Sequence, residues 1–204
     1  MSETVVFDFD KTLTYKDTLL DFFVVCGKRR KLFLAHLGCY WMLAVFSKLG
    51  LISNHQLKDW GVRTFLAGLS RVEVGDLGRR YAADITLNKV YFEHFLKRFP
   101  NAYVVSASFP EYLQHLFDQK RLLASTIRYE GGKPVGLQMN CYRGAKARML
   151  KGMGIARIDT LYTDSRSDLP LAEMASRIYL VRGDNVIECD SLADFRRKAG
   201  GIGI

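Results

Sequence analysis

Residues 4–14 read Thr4-Val5-Val6-Phe7-Asp8-Phe9-Asp10-Lys11-Thr12-Leu13-Thr14, and this stretch decides the fold. The β-branched and aromatic run predicts a buried strand, and the run ends abruptly in acidic and turn-forming residues. Two carboxylates two residues apart at a strand end repel one another unless a cation neutralises them. A hard divalent ion such as Mg²⁺ does so with oxygen ligands. One carboxylate can then attack phosphorus while the ion screens the repulsion between anions.

Working outward, further strand-like runs occur at 102–106, 158–163 and 178–181, with helical patterns near 110–120, 144–153, 168–176 and 191–199. Strands alternating with helices predict an α/β fold, a Rossmann-like parallel sheet with helices on both faces. Residues 122–140, with Gly131-Gly132 between two β-rich runs, predict a small β-hairpin. The segment 15–90 breaks the alternation and reads as a helical insertion after the first strand. The expected division is therefore a catalytic core of 1–14 and 91–204 carrying a cap of 15–90.

In a parallel sheet the carboxyl ends of the strands share one edge, where ligands bind. Asp164 follows the 158–163 run, so it can meet Asp8 and Asp10 at one cation, with Asp168 in support. Ser106 ends the 102–106 run, where a hydroxyl and main-chain N–H groups can take phosphate oxygens. Lys146 opens a helical segment and can neutralise a transferring phosphoryl group. Singly, each of these is more often a cap, a turn residue or a surface lysine; their order in the chain gives the specificity.

Asp8-x-Asp10-x-Thr12 after a strand, Ser106 after the next, Lys146, then Asp164-x-x-x-Asp168 resembles the haloacid dehalogenase superfamily of phosphohydrolases, subfamily IB, whose C1-type cap is a helical insertion after the first motif. The resemblance implies roles. Asp8 would be the nucleophile and a Mg²⁺ ligand. Asp10 would be the general acid/base, with its main-chain carbonyl on the metal, and Thr12 would orient it. Thr12, Ser106, Ala107 and Lys146 would hold the phosphoryl group. Asp164 would ligate Mg²⁺ and Asp168 would support it. The implied reaction is hydrolysis of a phosphate monoester through an aspartyl-phosphate.

Within that subfamily the chain is similar to phosphoserine phosphatases and to phosphatidylglycerophosphatase C. Asp17 matches an acidic residue that the former place near the substrate amine. Ser106-Ala107-Ser108-Phe109 and Thr163-Asp164-Ser165-Arg166-Ser167-Asp168 depart from their usual second and fourth motifs. A basic cluster before an apolar helix, Cys141 ahead of Lys146, and Pro170 after Asp168 fit the lipid phosphatase better. The leading substrate expectation is therefore a phospholipid-precursor phosphate such as phosphatidylglycerophosphate. A soluble amine- or sugar-bearing phosphate is the alternative, and a receiver-like signalling module a remote one.

Composition bounds the partners. The net charge of +9 suits anions generally. The basic residues are dispersed and form no nucleic-acid motif, so no specific nucleic-acid binding is expected. The four cysteines and four histidines lack metal-ligand spacing, which argues against zinc. No leader is visible, so the expected location is cytoplasmic. Residues 32–46, LFLAHLGCYWMLAVF, contain His36 as their only ionisable group apart from thiol and phenol. A helix this apolar must be covered, and burial within the cap is the first expectation. The alternative is contact through 28–51 with an anionic membrane, which would place the protein on the membrane's inner face. Nothing in the residues selects an oligomeric state.

Overall fold

The computed structural model describes residues 3–200; the ends assigned to the core at 1–2 and 201–204 lie outside the described residues. β1 (Val5–Phe7) is fully buried, as its apolar run requires. It sits in the middle of a six-stranded sheet. β2 (Tyr103–Val105) and β3 (Leu122–Leu123) lie on one side of it. On the other side are β6 (Ile158–Thr163), β7 (Ala175–Arg182) and β8 (Asn185–Cys189). The strand order is β3-β2-β1-β6-β7-β8. Pairing is parallel from β3 to β7, and β8 closes the edge antiparallel to β7. The expected α/β architecture is thus present, with one antiparallel strand added.

Register fixes the site. Phe7 is level with Val104 on one side and Tyr162 on the other. The next residue of each strand therefore begins a common edge: Asp8, Val105-Ser106 and Thr163-Asp164. The same register stacks the Phe7, Tyr162 and Tyr179 rings, with centroids 4.3 and 4.9 Å apart. Cross-strand aromatic stacking of this kind pins register. The chain winds from β1 to β2 and β3, then returns to the far side of β1 as β6. The strand order reverses there, and ligands bind at such points.

Several predicted boundaries shift. Leu122–Leu123 belongs to the main sheet, so the separate hairpin is only β4 (Thr126–Glu130) and β5 (Lys133–Met139). The expected helix at 110–120 is a single turn, α5 (Pro110–Leu113). α6 (Gly144–Gly152) and α8 (Leu192–Gly200) form where expected. α7 (Leu169–Ala172) ends early because β7 starts at Ala175.

Between β1 and β2 lie four α-helices, α1 (Leu19–Gly27), α2 (Phe33–Lys48), α3 (Asn54–Phe65) and α4 (Arg71–Asp84), followed by a short π-helix at Tyr91–Leu96. α3 and α4 start at capping boxes, Ser53 with Gln56 and Ser70 with Glu73, which satisfy first-turn N–H groups. Their aromatic centre joins Phe23, Tyr40, Trp60 and Phe65. Where the chain leaves and re-enters this layer, Asn88 Nδ2 donates to the carbonyls of Thr12 and Gly183.

α2 is not buried, contrary to the first expectation. Tyr40 is its only buried residue, while Leu34 is 79% and Trp41 57% exposed. One side of the helix finishes the aromatic centre, and no other described element covers the opposite side. No described helix is long and apolar enough to cross a membrane.

Candidate active site

Asp8 follows β1, and its main-chain N–H donates to the Tyr162 carbonyl at 2.9 Å. Lys146, in the first turn of α6, reaches it from below: Nζ lies 2.7 Å from Asp8 Oδ1. The same ammonium lies 2.8 Å from Asp168 Oδ1. Asp168 is fully buried, and the Thr163 hydroxyl donates to its Oδ2 at 2.8 Å. The sequence-predicted Asp8, Lys146 and Asp168 therefore form one cluster. Burial alone would lower the Lys146 pKa, but Asp168 and Asp8 outweigh it and hold the group above its ordinary range.

Asp10 is held differently. Its Oδ1 accepts from the Thr18 hydroxyl at 2.6 Å and the Thr18 N–H at 2.7 Å; its Oδ2 accepts from the Ser108 hydroxyl at 2.6 Å. Burial, then the Asp17 charge, raises its carboxyl to about 7 against the opposing pull of these donors. Thr18 is itself braced, 2.9 Å from the Tyr112 hydroxyl and accepting at its carbonyl from Tyr81. Thr12 does not orient Asp10. Lys11 turns through a left-handed conformation between them, and the buried Thr12 hydroxyl has no partner among the described residues.

Ser106 is buried, and its hydroxyl accepts from the Ser108 N–H at 3.0 Å. The Ala107 carbonyl accepts from Ser125 and from Lys58 Nζ, both at 2.7 Å. Lys58 comes from α3 and also donates to Asn140 Oδ1 at 2.9 Å. Burial lowers its pKa to about 8, with Asp10 and Asp17 opposing. Asp17 is exposed at the start of α1, where its carboxylate accepts from the Leu19 N–H.

Asp164 follows β6. Its carbonyl accepts from Arg182, while its carboxylate has no hydrogen-bond donor among the described residues. Burial, then Asp8 and Asp168, pushes its carboxyl up to about 8. This is an oxygen donor set with more negative charge than Lys146 neutralises. Among the described residues no three His, Cys, Asp or Glu side chains form a ready-made cage. Mg²⁺ does not require one, since it binds through one or two carboxylates and keeps several waters. Asp8 and Asp164, whose charges act on one another, supply two such carboxylates; the Asp10 carboxylate is occupied by Thr18 and Ser108.

Thr18, Ser108 and Lys58 are the residues sequence reasoning missed. Ser108 stands two positions after Ser106 and Thr18 beside Asp17, so both had a local signal. Lys58 had none, since only folding brings α3 over the loop after β2.

No curated protein sequence matches the chain significantly. A protein of unknown function from Bordetella pertussis Tohama I has a similar structure, with a TM-score of 0.71 at 20% identity over 87% of this chain and 89% of that one. A phosphoserine phosphohydrolase-like protein from Francisella tularensis gives 0.60 at 17% identity, covering 87% and 86%. A substrate-bound phosphoserine phosphatase gives 0.59 at 18% identity, covering 97% and 98%. The sequence profile of the haloacid dehalogenase-like hydrolases matches residues 5–173, most of the chain, a range within which Asp8, Asp10, Ser106, Lys146, Asp164 and Asp168 all fall. The chain belongs to the haloacid dehalogenase-like hydrolase family and is an enzyme of that family.

Proposed function

We propose that this enzyme is a Mg²⁺-dependent phosphomonoester hydrolase with Asp8 as nucleophile, and that α1–α4 form the cap over its site. The observation that carries the reading is the buried Asp8–Lys146–Asp168 cluster beside a separately held Asp10. An Asp8 carboxylate oxygen attacks phosphorus and the ester P–O bond breaks. Asp10 gives its proton to the leaving oxygen. It then takes a proton from water, whose oxygen attacks phosphorus and breaks the bond to Asp8, releasing phosphate. A carboxyl held near neutral pH suits both steps. Lys146, Ser106, Thr12 and the loop at Ala107 hold the phosphoryl oxygens. Asp8, Asp164 and the Asp10 carbonyl would hold Mg²⁺, which when bound supplies charge neutralisation to the phosphoryl group. Asp168 keeps Lys146 in place.

For the substrate, the proposal remains a phospholipid-precursor phosphate such as phosphatidylglycerophosphate, supported by the exposed apolar helix in the cap. One observation favours a small amine-bearing phosphate instead: the charge of Asp17 reaches Asp10 and Lys58. The phosphoserine phosphatases of similar fold point the same way. A screen of phosphoserine, sugar phosphates and phosphatidylglycerophosphate in detergent separates these readings. For the chemistry, Asp8→Asn should cut turnover of an aryl phosphate by about 10³-fold or more without unfolding the protein. Retained turnover would remove Asp8 as nucleophile.

A further inference from the structure

We propose that α2 docks this protein on an anionic lipid surface. Leu34, Trp41, Met42, Val45, Phe46 and Leu49 are all exposed along α2 and its end. From Phe33 to Ser47 the chain has no Asp, Glu, Lys or Arg. The opposite side is already satisfied, with Tyr40 seated against Phe23 and Phe65. A helix apolar all round requires cover on every side. Here the protein supplies one half of that cover.

The charges around the stripe choose the other half. Lys28, Arg29 and Lys31 precede α2 and Lys48 ends it; all are exposed, and none forms a salt bridge among the described residues. An apolar stripe with basic groups at both ends matches acyl chains bordered by anionic headgroups. A second copy of the same face fits poorly. Parallel pairing sets 28–31 against 28–31, and antiparallel pairing sets it against Lys48, so like charges meet either way. A span is excluded by length: the 16 residues of α2 reach about 24 Å, short of a hydrocarbon core of about 30 Å. The helix therefore lies in the plane of the surface, with Trp41 at the headgroup level that indoles favour. α3 connects the two sides of the cap, touching α2 and sending Lys58 to the site.

The vesicle-binding measurements stand apart from the phosphatase reading; only the turnover control of the double variant rests on it. The unmodified chain is sedimented with phosphatidylglycerol–phosphatidylcholine vesicles and with phosphatidylcholine alone. It should pellet with the anionic vesicles and be released by high salt. In Trp60→Phe protein Trp41 is the sole indole, since the chain has two. Its emission should shift to the blue on anionic vesicles. Leu34→Asp with Val45→Asp should weaken binding by roughly tenfold or more, while aryl phosphate turnover is unchanged. The proposal is overturned if the unmodified chain stays in solution with anionic vesicles at low salt. It is also overturned if the double variant binds as well as the parent, or if this face instead forms a stable dimer that the double variant dissolves.

Discussion

Thr18 Oγ1 lies 2.6 Å from Asp10 Oδ1, so a residue at the entrance to the helical layer fixes the carboxyl proposed to move protons in the core. Thr18→Val removes that donor while leaving the Thr18 N–H bond at 2.7 Å. The donors at Asp10 favour its ionised form, and burial opposes them. Losing one therefore raises the Asp10 pKa further, and the basic limb of the pH–rate profile should move to higher pH. We expect kcat to fall about tenfold with KM little changed, and Thr18→Ser to restore both. A uniform loss of activity at all pH values would assign Thr18 a purely structural role.

Lys58 makes a second link between the layers, and its burial has a thermodynamic signature. Its folded pKa of about 8 lies below the ordinary 10.5. Between those values the unfolded chain binds more protons, so this group makes stability rise with pH from about 8 to 10.5. The size is on the order of 3 kcal/mol. Burial is the main cause; Asp10, Asp17 and Cys141 oppose it and Lys146 adds to it. Lys58→Met lacks this dependence. Urea unfolding at pH 7.5, 9 and 10.5 should show wild type gaining on the variant as pH rises. A constant difference would mean that Lys58 is solvated in the folded protein.

Asp164 carries the cation argument into a binding measurement. A ligand at 100 times its Kd stabilises the folded state by about 2.7 kcal/mol. In a chain of this length that corresponds to roughly 5–10 °C in Tm. Saturating Mg²⁺ should raise the Tm of wild type by this order, and Asp164→Asn should abolish most of the rise. An equal rise in both proteins would place the cation elsewhere.

The strand before Asp8 was legible because β-branching and burial act locally: Val5, Val6 and Phe7 form an apolar run that favours pairing inside a sheet. Ser106 and Asp164 were legible because a parallel sheet sends every strand end to one edge; Lys146, in the first turn of α6, was legible only from its place in the order of motifs. The resemblance implied that Thr12 orients Asp10, but it could not reveal the left-handed turn at Lys11, after which Thr18 and Ser108 hold Asp10 instead. The cover of α2 was misread for a related reason. Composition shows that Leu34 and Trp41 need a partner, but not that the cap has only enough apolar surface for the Tyr40 side.

Two glycines of α4 separate helix propensity from packing. Gly75 has open space where a Cβ would stand, whereas a Cβ at Gly78 would come within 2.0 Å of the Glu111 carbonyl oxygen in α5. Alanine is favoured over glycine inside a helix by about 1 kcal/mol. Gly75→Ala should therefore stabilise the protein by roughly 0.5–1 kcal/mol. At Gly78 the same gain meets main-chain atoms that cannot rotate away, and overpacking of this kind costs about 1–3 kcal/mol or more. Gly78→Ala should be destabilising on balance. Because α5 follows the Ser106–Phe109 loop, the displaced backbone also disturbs Ser108 and the Asp10 carboxyl it holds, so kcat should fall with stability. Urea unfolding and aryl phosphate turnover of both variants test this. Equal stabilisation by the two alanines would show that α4 does not approach Glu111 closely and that the cap sits more loosely on the core.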